Sequence, residues 1–215
     1  MKKCISIILA LLMVLSLVAC GGGGDSAPDE TGGDVAYVQD KGTLVIGITD
    51  FEPMDYQDGS GEWIGFDADM AKLLGEKLGV DVEFIEIDWD SKTMELANKT
   101  IDCVWNGMTL TDGVKKAMAT SNPYCNNAQI IVVKKDLAKS IKKAADAKKL
   151  KFAVEAGSAG AEAAKENGFN FLEVNTQADA VMEVAAGTSE ACIIDSLMAA
   201  AMVGDGTGYA DLRYR

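Results

Sequence analysis

The stretch KFAVEAGSAGAEAAKENGFNFLEV, residues 151–174, predicts a strand, a helix and a second strand within a short length of chain. KFAVEAG and FNFLEV are the two strands, and residues 158–167 form the helix between them. A strand, a helix and a strand in this order favour two parallel strands with the helix packed on one face of the sheet.

The same alternation extends in both directions from this unit. Before it we predict the strands TLVIGIT, VDVEFIEI, IDCVWNG and AQIIVVK, together with helices over residues 66–79, over residues 92–98 and from Thr111. After it we predict a helix over residues 177–186, the strand EACIID and a helix from Ser196. We therefore expect an α/β fold whose sheets are rich in parallel strands and flanked by helices. Ligands of such sheets bind beyond the carboxyl ends of the strands.

The helix over residues 66–79 carries the clearest local pattern. Met70, Leu73, Leu74 and Leu78 fall on one face, acids crowd the first turn, and Gly79 is expected to end the helix.

Composition excludes several classes of function. The 215 residues carry a formal net charge of -13 and contain no histidine. A surface this acidic repels phosphate backbones, so we expect no nucleic-acid partner. Without histidine the usual general base near neutral pH and most zinc sites are missing, and we expect neither a metal ion nor a cofactor.

The N-terminus predicts an exported protein. A basic start, Met1-Lys2-Lys3, precedes an apolar run over residues 5–19, which is shorter than the roughly 20 residues of a membrane-spanning helix. Cys20 could be a core thiol, half of a disulfide or a lipid attachment site, and Leu17-Val18-Ala19-Cys20 looks like a bacterial lipobox. We predict a lipoprotein signal peptide over residues 1–19 and a lipidated (palmitoylated) Cys20 with a flexible linker over residues 20–36. The protein would then be anchored at the extracytoplasmic face of the bacterial cell membrane.

The cysteines further along the chain do not form a disulfide pattern. Cys103, Cys125 and Cys192 are odd in number and far apart. Cys103 and Cys192 lie in apolar strand-like runs and are expected to be small core residues.

Six segments at the strand ends, in order, resemble one family. They are similar to segments of bacterial extracellular solute-binding proteins of family 3, the receptors of polar amino-acid ABC importers. The six segments are GITDFEPMDY, GEWIGFDADMAKLLGEKLGV, IDCVWNGMTLT, SNPY, VEAGSAG and EACIIDSLMAA. The resemblance covers residues 45–215. It implies the type II periplasmic-binding-protein fold, in which two lobes joined by hinge strands trap the ligand between them.

The resemblance also implies the division of the chain. Lobe 1 would cover residues 37–127 and lobe 2 residues 128–208, with residues 209–215 forming a strand that returns toward lobe 1. The family completes lobe 1 with later elements, so we expect a C-terminally truncated chain with an incomplete lobe 1 and an exposed apolar patch there.

The resemblance assigns ligand binding to residues at the strand ends, each with an ordinary structural alternative. Phe51 would face the ligand or cover the core of its lobe, Trp105 would line the cleft or be buried, and Thr109 would bind the ligand backbone or belong to a turn. Asp195 would take the ligand ammonium or cap a helix. The full set is Asp50, Phe51, Trp105, Asn106, Gly107, Thr109, Glu155, Gly157, Ser158 and Asp195.

One position departs from the family. Where the family places an arginine that clamps the ligand carboxylate, this chain has Val114. Lys115 and Lys116 point elsewhere on a helix, because each residue turns by roughly 100°. Either the carboxylate rests on backbone N–H groups and Thr109, or the ligand has no ordinary α-carboxylate.

These residues predict a binding protein and not an enzyme. We expect a monomeric substrate-binding receptor that captures a polar amino acid or a related amine and delivers it to an ABC permease in the membrane. Two alternatives are a fold-related enzyme of the small-acid dehydratase type and a surface interaction lipoprotein that has lost its ligand.

Overall fold

The computed structural model describes residues 33–215. The chain divides into two compact units, residues 1–37 and residues 38–215, and the first is described only from residue 33 to residue 37. The predicted signal peptide, Cys20 and most of the linker lie outside the described residues. All strands within residues 33–215 belong to the second unit.

The elements follow the order that the sequence predicts. The helices are α1 (Gly33–Lys41), α2 (Phe66–Leu78), α3 (Lys92–Ala97), α4 (Asp112–Ala117), α5 (Ala159–Glu166), α6 (Gln177–Ala186) and α7 (Ser196–Met202). The strands are β1 (Thr43–Ile48), β2 (Tyr56–Gln57), β3 (Trp63–Ile64), β4 (Asp81–Glu86), β5 (Cys103–Val104), β6 (Gln129–Lys134), β7 (Lys151–Glu155), β8 (Asn170–Val174), β9 (Ala191–Asp195) and β10 (Leu212–Tyr214).

Two main sheets divide this unit. Residues 43–117 carry a three-stranded parallel sheet in the order β4-β1-β5, together with helices α2 to α4, and we name this part the first lobe. Residues 129–214 carry a five-stranded sheet in the order β10-β6-β9-β7-β8, together with helices α5 to α7, and we name this part the second lobe. A short hairpin, β2-β3, precedes helix α2.

The second sheet is mixed. Strand β7 runs parallel to β8 and β9, as the repeated strand–helix–strand pattern predicts. Strand β6 runs antiparallel to both β9 and β10. Residues 118–128, which lead from the first sheet into β6, contain no helix. The segment over residues 209–215 places β10 at the edge of this second sheet.

Helix α2 ends within one residue of its predicted end. Gly79 ends it in the left-handed conformation, as expected. Met70 and Leu73 are exposed, whereas Leu74 is partly buried against the core of the first lobe. The fully buried residues of the helix are Asp67, Ala68, Ala71 and Gly75. A Cβ atom on Gly75 would lie 2.4 Å from Val82 of β4, so the small side chains allow a close approach that larger ones would block.

Within residues 33–215 the buried apolar residues form three clusters, two of which contain residues of the second sheet. Val132, Cys192 and Ile194 are fully or almost fully buried there, which confirms the prediction for Cys192. Phe51 and Met54, from the segment after β1, belong to the same cluster. Cys103 is only half-buried and packs on the core of the first lobe.

Candidate functional site

A cleft separates the carboxyl ends of the strands of the two lobes. Its lining includes seven of the predicted residues: Asn106, Gly107, Thr109, Glu155, Gly157, Ser158 and Asp195. It also includes residues that sequence reasoning did not assign to the site: Trp89, Lys92, Met108, Thr111, Ala159, Glu162 and Gln177. Val114 lines the cleft as well, at the position where the family places its arginine.

Asn106 and Gly107 are held by side chains of the first lobe. Asn106 accepts a hydrogen bond from the Thr49 N–H at 3.0 Å and donates one to the Thr49 hydroxyl at 2.6 Å. The Gly107 N–H donates to Oδ2 of Asp67 at 2.6 Å, so this N–H, which the resemblance assigns to the ligand, is already bonded within the protein. A Cβ atom on Gly107 would lie 2.7 Å from the Phe51 ring, which explains why glycine stands here.

Asp67 lies in a buried group of polar side chains below this loop. Its Oδ2 also accepts a hydrogen bond from the Tyr124 hydroxyl at 2.9 Å. Neighbouring Asp55 is completely buried, and neither of its carboxyl oxygens has a hydrogen-bond partner within the described residues. Burial and the nearby Asp67 charge raise the pKa of Asp55 to about 8.

Asp195 is the most heavily hydrogen-bonded carboxylate of the cleft. Gln177 donates to Oδ2 at 2.5 Å, and Oδ1 accepts from Gln129 at 2.7 Å, from Asn127, and from the Thr109 hydroxyl of the first lobe at 3.4 Å. Burial raises the pKa of Asp195, and these four donors oppose the rise because they favour the carboxylate.

Glu155 adds a second buried acid beside Asp195. It ends strand β7 and is only 2% exposed. Burial and the Asp195 charge raise the pKa of Glu155 to about 8, and the Lys92 ammonium opposes this shift. The second lobe therefore presents one hydrogen-bonded acid and one acid that gains a proton easily.

The start of helix α5 forms the other part of this wall. Ser158 caps the helix, because its hydroxyl accepts a hydrogen bond from the Ala161 N–H at 3.1 Å. Gly157, just before it, has a φ of 65°. The positive end of the helix dipole faces this edge of the cleft and favours an anionic group.

Three of the predicted site residues lie away from the cleft lining. Asp50 is exposed at the end of β1, and Phe51 is buried in the core. Trp105 packs on the core of the first lobe, and its Nε1 has no hydrogen-bond partner within the described residues.

Lys92 and Trp89 are the main additions to the predicted site. They follow the carboxyl end of β4, where the rule for parallel sheets also places ligands. The sequence DWDSK at this strand end was the available signal. A lysine there is easily taken for a surface residue, since lysine is rarely buried.

The comparisons with known proteins agree with this geometry. The sequence profile of bacterial extracellular solute-binding proteins, family 3, matches residues 44–190. The chain belongs to this family. It is 31% identical over 204 residues to the arginine-binding extracellular protein ArtP of Bacillus subtilis (strain 168), covering 93% of this chain and 75% of ArtP. It is 31% identical over 196 residues to the L-cystine-binding protein TcyJ of Escherichia coli (strain K12), covering 89% of this chain and 72% of TcyJ.

Solved structures show the same fold. The Gly52Ala mutant of arginine-bound ArgBP from T. maritima matches with a TM-score of 0.77 and 32% identity, over 84% of each chain. The ancestral amino acid-binding protein AncCDT-1, a precursor of cyclohexadienyl dehydratase, matches with a TM-score of 0.74 and 37% identity, over 77% of this chain and 75% of that one. The predicted periplasmic-binding-protein fold of type II is thereby confirmed.

Neither a membrane-spanning helix nor a cluster of metal ligands occurs within residues 33–215. No helix in that range is long and apolar enough to cross a membrane. No group of three or more acidic or cysteine side chains in the same range could hold a metal ion.

Proposed function

We propose that this solute-binding protein captures an amino acid between its two lobes and delivers it to an ABC permease in the membrane. Its family supports the role of an extracellular receptor, and its relatives ArtP and TcyJ are named for amino acids that they bind. The observation that carries the proposal is Asp195, a buried carboxylate of the second lobe that reaches Thr109 of the first. A ligand ammonium bound to Asp195 would draw the two walls together.

The two ends of an amino acid match opposite parts of the cleft. The ammonium pairs with Asp195, because a buried charge needs a partner of opposite sign. The carboxylate lies at the start of α5, near Gly157 and Ser158, where the helix dipole favours an anion. Thr109 supplies a hydroxyl between these two ends. In this arrangement the protein binds its ligand without converting it.

Calorimetric titration of the purified full chain in mild detergent, with the common amino acids and polyamines, tests the proposal. Asp195→Asn should weaken the binding of every amine-bearing ligand by at least about a hundredfold, since truncating one partner of a buried charge pair costs about 3–5 kcal/mol. Asp211→Asn, an exposed acid, is the matched control for charge and should bind like the parent. Equal affinity of parent and Asp195→Asn would remove Asp195 from the site.

One observation favours an enzymatic alternative. Glu155, with its pKa raised to about 8, and hydrogen-bonded Asp195 form a pair of acids of the kind that moves protons, and AncCDT-1 is a precursor of a dehydratase. NMR spectra of ligands incubated with the protein distinguish the two functions. An unchanged ligand supports the receptor, and a new product supports the enzyme.

We also propose that Cys20 carries a lipid that holds the protein at the extracytoplasmic face of the membrane. The basic start, the short apolar run and the Leu17-Val18-Ala19-Cys20 sequence support it. Cys20→Ser should give soluble protein or an unprocessed precursor after cell fractionation. Mature-sized Cys20→Ser protein in the membrane fraction would contradict the lipid anchor.

A further inference from the structure

Lys92 is a buried cation in the wall of the cleft. It begins helix α3 of the first lobe and is only 7% exposed. Within residues 33–215, the cleft lining contains three carboxyl groups, those of Glu155, Glu162 and Asp195, but Lys92 is the one cation. A lysine in such a position is unusual, because burying an ammonium is costly unless the protein provides partners.

The Lys92 ammonium has partners from both lobes. Its Nζ donates to the Trp89 carbonyl at 2.9 Å and lies 4.6 Å from the centre of the Trp89 ring. It also donates to the Gly157 carbonyl of the second lobe at 2.9 Å. Lys92 therefore extends across the cleft and contacts the segment that holds the start of α5.

Burial lowers the pKa of Lys92, and the nearby acids Glu155, Asp90 and Glu162 oppose this shift, Glu155 most strongly. These carboxyl groups are the ones that would otherwise attract a cationic side chain of the ligand. The protein thus already supplies a positive charge at this part of the cleft.

The Lys92 ammonium would repel a second positive charge in this part of the cleft. A side-chain cation of an arginine or lysine ligand that reached Glu155 or Glu162 would lie close to the Lys92 ammonium. An amide or carboxylate side chain instead offers an oxygen acceptor to the third N–H donor of this ammonium, beyond the two that bond the Trp89 and Gly157 carbonyls. Discrimination of this kind works by repelling the wrong ligand as well as by attracting the right one.

We propose that Lys92 sets the ligand class of this receptor, which prefers amino acids with an amide or carboxylate side chain and rejects those with a cationic one. This inference rests on the proposed function, and it separates the protein from its arginine-binding relatives. Lys92 acts on the ligand side chain, while Asp195 holds the ligand ammonium.

The test measures the preference between ligands. Glutamine, glutamate and arginine are titrated calorimetrically into the purified full chain in mild detergent, using the parent, Lys92→Met, Lys92→Arg and Lys116→Met. Methionine has nearly the length of lysine without its charge, and Lys92→Arg keeps a cation at the position. Lys116→Met removes one charge from an exposed position of α4 and controls for net charge.

The parent should bind glutamine or glutamate at least about tenfold more tightly than arginine. Lys92→Met should shift the ratio of the two affinities toward arginine by about tenfold or more. Lys92→Arg and Lys116→Met should keep the parent's preference. Circular dichroism melting curves show whether each variant is folded.

Three results would overturn the inference. The first is a parent that prefers arginine. The second is a Lys92→Met variant that binds all three ligands with equally reduced affinity, or with the affinities of the parent, because a purely structural lysine would not change the preference between ligands. In both cases the protein still binds amino acids, so the proposed function stands. The third is a folded parent that binds no amino acid, which overturns the proposed function together with this inference.

Discussion

The backbone N–H of Gly107 donates a hydrogen bond to Asp67 at 2.6 Å, which ties the first turn of α2 to the loop that follows β5. The Tyr124 hydroxyl donates to the same carboxylate oxygen at 2.9 Å. Asp67 therefore bonds both the loop that follows β5 and the segment that leads toward the second lobe. Because Asp67 is 1% exposed, water cannot easily replace it as the acceptor.

Asp67→Ala should destabilise the protein and loosen the loop that follows β5. It leaves the buried Gly107 N–H without its acceptor, which costs about 1–3 kcal/mol, and it removes the hydrogen bond of the half-exposed Tyr124 hydroxyl. Urea denaturation measures the free energy of unfolding, and Asp69→Ala, an exposed acid in the same helical turn, is the control. A loss no larger than that of Asp69→Ala would contradict the role of Asp67.

Local sequence signals predict most of the elements but not the contacts between them. The helix that begins after Thr176 and ends at Gly187 is predictable, because both capping residues are local features. The residues that α2 buries were not predictable in the same way. They include Asp67, Ala71 and Gly75, and the close approach of Gly75 to β4 leaves no room for a larger side chain.

The candidate site shows the same limit. Strand ends indicated Glu155, Gly157 and Asp195, and the structure brings them together in one cleft. Phe51, for which the sequence allowed either the ligand site or the core, lies in the core, whereas Lys92, which its residue type suggests at the surface, lines the cleft. Sequence alone does not decide these placements, because each depends on the packing of one lobe against the other.

Asp55 should make the stability of the protein depend on pH. Its pKa is about 8 in the folded chain against 3.8 for the ordinary side chain, so the folded state holds a proton that the unfolded state has lost. The contribution of Asp55 to the free energy of unfolding is therefore highest below about pH 4. It falls as the pH rises toward 8, by at most about 1.4 kcal/mol per pH unit.

Asp55→Asn removes this titration. The melting temperature of the variant, relative to that of the parent, should rise as the pH increases from 5 to 8. Glu155 titrates in the same direction but is present in both proteins, so the difference reports Asp55. Asp69→Asn is the exposed control, and a constant difference between Asp55→Asn and the parent across this range would show that Asp55 does not titrate there.

Val114→Arg tests how the cleft holds a ligand carboxylate. Val114 lines the cleft, and arginine there offers a two-pronged contact to a carboxylate. Affinity for an α-amino acid should rise about tenfold, because a hydrogen bond to a charged group contributes about 1.5–3 kcal/mol.

The α-amide of the same amino acid provides the comparison in calorimetric titrations. It has no carboxylate, so its affinity should not rise in Val114→Arg. Lys116→Arg is the control on the same helix. A gain of equal size for acid and amide would mean that the new side chain acts without contacting the carboxylate.

Gly157→Ala should prevent the lobes from approaching as closely as they do in this structure. Gly157 has a φ of 65°, and a Cβ atom there would lie 2.8 Å from both Cα and Oδ1 of Asp90 in the first lobe. Contacts below 3.0 Å with backbone atoms force the structure to shift, so the Lys92 bond to the Gly157 carbonyl should lengthen or break. Ligand affinity should fall at least about tenfold.

Gly168→Ala separates this contact from backbone strain. Gly168 also has a φ of 65°, but a Cβ atom there would have no neighbour within 4 Å. Both variants should lose about 1 kcal/mol of stability from the unfavourable φ. Only Gly157→Ala should lose ligand affinity, because only its methyl group meets the opposite lobe. Calorimetry and urea denaturation of the two variants check both statements, and equal ligand affinity in the two would show that the approach of Asp90 to Gly157 plays no part in binding.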